Sequence, residues 1–432
     1  MTTATAGVTS RVHALGGFRA WIVWFLAANC FFYAFFQRAS PSVMVDPLMA
    51  AFDVGAAVTG NLAALYLYVY AVLQLPIGLL LDRWGPRILL AGGMALICVG
   101  AITFAMAPNI WVAYVGRFLV GAGSAVSFIS ALTVASSWHS PNRFGLFSGL
   151  TMGYAMIGGF LAQGPLGGII DIYGWREPIL LSGIWGAGLA LLIWLIVRDR
   201  PDGQRVTRTG TQSLGTSLKL AMTRRQNWVL GLYGLLLSGP FLAYGLLWGV
   251  PHIMLMHGVD RETAGFSTSL MTVGFAFGGP IGGFLSDFFR RRKLPRMNAA
   301  FFSVLIWGVR LYGIEPTLLQ RQVMIFLVGL FGGSMIVCLA AARELSPPSI
   351  GGAVTGFVNG MFVGGGALLQ PAVGIVLDLT WNGTVSPETG VPIYSVADYN
   401  TALIVLPVSA GLGALLSLFI RESHCKPMGE TA

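Results

Sequence analysis

The chain has 432 residues, 55% of them hydrophobic and only 10% charged, with a mean hydropathy of +0.73. A soluble chain would carry roughly 25% charged residues, so composition excludes an ordinary soluble globular protein. The net charge of +9 would suggest nucleic acid in a soluble protein, but here its distribution decides otherwise.

Apolar segments long enough to cross a bilayer recur along the whole chain. Twelve are predicted, at 18–42, 58–81, 88–107, 111–135, 144–170, 178–197, 228–256, 263–288, 297–314, 320–342, 352–379 and 400–420. An even number of crossings puts both ends on one side, taken as the cytoplasm. Most of the 26 basic residues then fall in tails and inner loops. Arg176, Arg261, Arg310 and Arg321 fall outside or near the outer surface, and Arg38 and Arg117 lie within helices. That asymmetry satisfies the positive-inside rule and leaves nothing for nucleic acid to explain. Residues 1–17 are polar and small, and the first apolar stretch is too long for a signal h-region. Helix one is therefore expected to insert and stay. Cys30, Cys98, Cys338 and Cys425 show no pairing or metal spacing, so neither disulfide, metal nor cofactor is expected.

Segment one ends in "FFYAFFQRASPSVMV", an aromatic run that carries Arg38, whose guanidinium stays charged at any working pH. A charge near the bilayer centre costs roughly 2.5–3.5 kcal/mol and usually faces water or a partner. An upright helix would raise Arg38 about 27 Å above Ala20, which allows snorkelling to the outer interface. A tilted helix continuing through Pro41 would place it deeper. Segment two carries Tyr66, Tyr70 and Gln74 on one stripe.

After segment two stands "GLLLDRWGPR" (78–87). Asp82 occupies a helix C-terminus, the wrong end for a negative charge, unless it meets Arg83, Arg87 or a helix N-terminus of the other half. Such a contact would exist in only one arrangement and would act as a latch. Gly78 permits close helix approach and Gly85 a tight turn. The counterpart "GFLSD" keeps Gly283 and Asp287 and lacks the turn glycine, so the first copy is expected to be the stronger latch.

Segment four places Arg117 about 9 Å inside its outer end. Segments five and eleven, "SGLTMGYAMIGGFLAQ" and "TGFVNGMFVGGGALLQ", repeat at an offset of 207, and Asp171 and Asp378 keep that offset. Their glycines Gly149, Gly153 and Gly158, with Gly356, Gly360 and Gly365, would let helices approach closely. Together with the repeats of "FLVG" and of the loop, this divides the chain into a six-helix half at 1–197, a linker at 198–227 and a second half at 228–432. The linker is polar and basic, and "SLGTSLKLAMTRRQ" reads as a short helix held to anionic membrane lipid. Segment seven presents Tyr244, Trp248 and His252 on one stripe, and segment eleven carries Asn359. The seventeen acids map to helix ends, loops or tails, so a proton-coupling carboxylate is missing from every predicted helix centre.

The loop G-x-L-x-D-R-x-G-x-R, the "RFLVGAG" of segment four and the "GWR" at 174–176 resemble signatures of the major facilitator superfamily. The resemblance implies twelve helices in two pseudo-symmetric bundles, moving a small molecule by alternating access. A monomer in a bacterial-type inner (plasma) membrane with both termini cytoplasmic is expected, and with no H-E-x-x-H, no G-x-S-x-G and no pair of intramembrane aspartates nothing supports an enzyme. "FFYAFFQRASPSVMVDP" is similar to helix one of the superfamily's organic-anion and sugar-phosphate permease branches. Carried over, Arg38 would bind an anionic substrate, with Tyr66, Tyr70, Gln74, Tyr244, Trp248, His252 and Asn359 as candidate neighbours. Arg117 would be linked to coupling. Helix seven lacks the second arginine of the organophosphate carriers, which favours a carboxylate. A drug or metabolite exporter, and a carrier of dipeptide or siderophore-like carboxylates, remain alternatives. "GPLGG" (164–168) is one residue short of the exporter motif G-P-x-x-G-G.

Overall fold

In a bilayer every backbone polar group needs an internal partner, and this chain meets that demand with helices. The structure, a computed structural model, describes residues 16–200 and 214–425, except 294–296, 298–300, 303, 309–315, 348–349 and 388. Residues 78, 79, 82, 141 and 214 are described by backbone alone. Among the described residues, 11 helices are long and apolar enough to cross a membrane. They are α1 (Phe18–Val43), α2 (Ala56–Leu73), α3 (Arg83–Ala105), α4 (Ile110–Trp138), α5 (Phe144–Tyr173) and α6 (Arg176–Ile196). The second series is α7 (Arg225–His257), α8 (Arg261–Phe288), α10 (Leu318–Glu344), α11 (Gly351–Thr380) and α12 (Val396–Ser417). Between α8 and α10 the predicted ninth segment falls largely outside the described residues. Its helical stretch 304–308 is α9. This is an all-α membrane fold of two pseudo-symmetric six-helix bundles.

The duplication seen in the sequence returns in the packing. α1 packs on α5 as α7 does on α11, and α2 packs on α4 as α8 does on α10. The halves meet through α2 against α11 and α5 against α8, again a symmetric pair.

Helix breaks follow local chemistry. The sequence predicts one helix over 58–81, but α2 ends at Leu73 and Gln74–Pro76 form a turn before helix resumes at Ile77. Pro76 has no N–H and disfavours helical backbone at Leu75. Gly85 interrupts the next helix with φ 75° and ψ 163°, a region open to glycine alone. In the second copy the equivalent position is Arg290, also at positive φ, 50°. A π-turn covers Tyr244–Trp248 in α7, shortly after Pro240, which leaves a helix carbonyl without its usual donor.

The two halves are tied at the face where α2 begins. Asp378, at the end of α11, accepts from the backbone N–H of Ala56 (3.0 Å) and Ala57 (2.9 Å) and from the Tyr394 hydroxyl. Arg261, opening α8, pairs with Asp171 at the end of α5 (2.8 Å), donates to the Val43 carbonyl (3.0 Å) and approaches Asp46 (3.9 Å). The glycines of α5 and α8 differ along their length. A Cβ at Gly265 would strike the Gln163 carbonyl, whereas Gly149, Gly153 and Gly283 have nothing within 4 Å of such an atom.

Candidate substrate site

Arg38 occupies the last turn of the regular part of α1 and is 8% exposed. Side chains on a helix lean toward its N-terminus, which for α1 means inward, away from the end where Arg38 is attached. The guanidinium accordingly lies over three rings: Phe35 at 4.5 Å, Tyr70 at 4.7 Å and Tyr66 at 5.2 Å. Tyr66 and Tyr70 stand about 15 and 21 Å along α2 from its start at Ala56, well below that surface. Nε and Nη2 of Arg38 are screened from solvent and have no hydrogen-bond partner.

Tyr66 is fully buried, and its hydroxyl donates to the Ala34 carbonyl at 3.1 Å. Arg117 stacks on the same ring, at 5.4 Å, so one tyrosine stands beside two cations. Arg117, 1% exposed, donates to the Gln37 carbonyl (2.9 Å) and the Ala63 carbonyl (3.4 Å). It thereby staples α4 to α1 and α2. Gln37 turns away and donates to the Tyr33 hydroxyl (2.8 Å) and Ser182 (3.0 Å). Among the described residues no carboxylate forms an ion pair with Arg38 or Arg117.

The other candidates distribute differently. Gln74 donates to the Ala125 carbonyl (3.2 Å) and accepts from Asn359 across the halves (3.3 Å). Tyr244 and His252 meet each other (3.3 Å between the hydroxyl and Nδ1), and their rings pack on Trp307 and Tyr399 in the second half. Trp248 donates to the Gln370 carbonyl of α11 at 2.9 Å. The structure thus gathers Arg38, Tyr66 and Tyr70 in one place, while the turn Tyr244–Trp248 packs on Ser40–Val43, just beyond Arg38 in the chain.

In the signature loop, Gly78 and Asp82 lie outside the described side chains. Arg83 is exposed. Arg87 donates from Nη2 to the Trp194 carbonyl (2.7 Å), and its backbone N–H meets Asp199 (2.9 Å) at the end of α6. In the second copy Asp287 pairs with Arg292 (2.6 Å), Arg292 also pairs with Glu344 (2.6 Å), and Glu422 accepts from the backbone of Arg292 and Lys293 (2.7 Å each). Asp199 and Glu422 are equivalent residues of "VRD" and "IRE" that sequence reading passed over. Their repetition after α6 and α12 was the available signal. Arg261, read in sequence only as an outer basic residue, is the partner of Asp171, which the sequence shows only as a repeat. Arg321, placed by sequence near the outer surface, is buried at 1% exposure.

A sequence model of the Major Facilitator Superfamily matches residues 27–258, more than half of the chain. The protein belongs to that superfamily of membrane transporters. It is 25% identical over 406 residues to the probable sulfoacetate transporter SauU of Cupriavidus necator, covering 90% of this chain and 91% of that one. It is also 25% identical over 401 residues to the membrane sensor protein UhpC of Salmonella typhimurium, covering 86% of each. Its fold matches a crystal structure of a bacterial homolog to the human lysosomal transporter Spinster, inward-facing and occupied. The TM-score is 0.76 and the identity 16%, over 94% of this chain and 97% of that one.

Proposed function

We propose that this protein is a secondary transporter of a small organic anion, most simply a carboxylate, with Arg38 as the cation that binds it. The observation that carries the reading is the Arg38 guanidinium, buried against Phe35, Tyr66 and Tyr70 with Nε and Nη2 unpartnered. Those donors suit a charge-assisted contact, which forms only when a ligand arrives. Arg117 bonds to two carbonyls through Nη1 and Nη2 and keeps only Nε unpartnered, which suits it to holding α1 and α2 in place. A relative named for sulfoacetate transport supports an acidic cargo. The charge asymmetry supports the basic face as cytoplasmic, in an inner-membrane setting. Residues 1–197 and 228–432 would then rock about the site, with the 198–227 linker between them. The loop containing Gly78, Asp82, Arg83, Gly85 and Arg87, with Asp287, would bias that equilibrium.

The test is a thermal-shift panel of small carboxylates, sulfonates, phosphates and cationic drugs on purified protein, followed by uptake into proteoliposomes. Bound anions stabilise by mass action. Loss of one charge-assisted contact of about 1.5–3 kcal/mol predicts a roughly 10- to 100-fold weaker half-saturation in Arg38→Gln. Arg38→Lys, lacking the planar fork, should recover only part of it. Undiminished acid transport by Arg38→Gln would refute the assignment.

A further inference from the structure

At the basic face, where the linker enters the second half, a cavity of about 440 Å³ is lined by Arg224, Arg225, Gln226, Val229, Leu345, Phe419 and Arg421. Among the described lining residues there are three arginines and no carboxylate. They come from both ends of the second half, since Arg224 and Arg225 open α7 and Arg421 follows α12. Two acids adjoin the lining in sequence and are engaged with Arg292: Glu344 pairs with its guanidinium, and Glu422 accepts from the backbone of Arg292 and Lys293. A cation also sits badly at a helix N-terminus, and Arg225 opens α7 with no acid in its first turn. Gln226 adds an amide whose Nε2 is screened from solvent and has no hydrogen-bond partner.

The other wall is apolar and turned outward. Phe419 is 66% exposed, and Trp228, one turn into α7, is 39% exposed, as expected of rings at a membrane interface. The preceding helix, Leu214–Thr223, is tied down by bonds from Asn227 to the Ala221 carbonyl (2.8 Å) and from Trp228 to the Met222 carbonyl (2.7 Å). It exposes Leu220 and Met222 beside the cavity.

We propose that this cavity binds the phosphate of an anionic phospholipid, with Arg225, Arg421 and Gln226 on the phosphate and an acyl chain along Phe419 and Val229. Basic pockets between helix ends at this level suit such head groups. The site is separate from Arg38 and does not rest on the transport assignment. Occupancy would pin the linker helix to the membrane plane at its junction with the second half.

The experiment measures thermal unfolding of the full chain in uncharged detergent. Dioleoylphosphatidylglycerol, dioleoylphosphatidylcholine or inorganic phosphate is added in turn. Phosphatidylglycerol should stabilise the protein, and the other two should not. Arg225→Gln with Arg421→Gln should abolish the shift, whereas Arg290→Gln with Arg291→Gln, on the same face outside the cavity, should keep it. Gln226→Leu leaves the charge unchanged and should still weaken apparent lipid affinity roughly fivefold. Equal stabilisation of parent, double variant and Gln226→Leu would overturn the site. An equal shift from inorganic phosphate would overturn the lipid assignment.

Discussion

Gly85 and Arg290 occupy equivalent turns in the two halves, yet backbone chemistry treats them differently. Gly85 adopts φ 75°, ψ 163°, where a side chain costs roughly 1–3 kcal/mol. A Cβ there would also stand 2.7 Å from Asp199 Oδ2. Gly85→Ala should therefore lower stability by about 2 kcal/mol, read as a clear drop in Tm in detergent. Arg290, at φ 50°, already bears a side chain, so Arg290→Gly should shift Tm little. Similar losses from both would contradict this account. At the same scale, the depth of Arg38 was not legible in sequence. Helical rise gives the height of its Cα, but a long side chain reaches further than that ambiguity. What places the guanidinium is the lean of side chains toward the helix N-terminus and the tyrosines on α2. Their i, i+4 spacing was readable, although their pairing with α1 was not.

Helices five and eleven show how far a motif determines an element. Their glycine spacing is visible in sequence, but spacing alone does not say which glycine touches another helix. Gly158 meets the Phe32 carbonyl and Gly365 the Leu235 carbonyl, while Gly149 and Gly153 on the same helix as Gly158 face open space. Alanine is favoured over glycine within a helix by about 1 kcal/mol. Gly149→Ala and Gly153→Ala should thus hold or raise Tm, whereas Gly158→Ala should lower it by several degrees, since the obstruction is backbone. Should the first two keep Tm but lose transport, those glycines serve a second arrangement in which the basic ends of α5 and α8 close. A fall in Tm for all three would remove that distinction. Helix seven is harder to read for another reason. A stripe at i, i+4, i+8 assumes regular α-helix, and the π-turn over Tyr244–Trp248 changes the angular positions beyond it. Pro240, Gly245, Gly249 and Pro251 were the cues that regularity would fail there.

On the scale of the whole molecule, the repeat that divided the sequence also built its closure. Asp171 and Asp378 share one offset, and each meets the first turn of a helix from the other half. The two contacts differ in strength. Asp378 accepts two backbone N–H bonds and one hydroxyl bond in a half-buried setting, and charge-assisted bonds of this kind contribute about 1.5–3 kcal/mol. The Asp171 side chain is 45% exposed, and an exposed ion pair contributes about 0–1 kcal/mol after screening and side-chain entropy. Closure of this face should therefore depend mainly on Asp378. Asp378→Ala is expected to open it, shifting the closed-to-open ratio by roughly 10- to 100-fold, while Asp171→Ala shifts it less than about fivefold. Distances between spin labels on α2 and α11 near this face report the populations directly. The difference between Asp171→Ala and the parent should shrink with rising salt, because screening weakens the exposed pair the parent retains, whereas the difference between Asp378→Ala and the parent should persist. A larger opening from Asp171→Ala, or an unchanged distribution in Asp378→Ala, would show that the carboxylate cap on α2 does not hold the halves together.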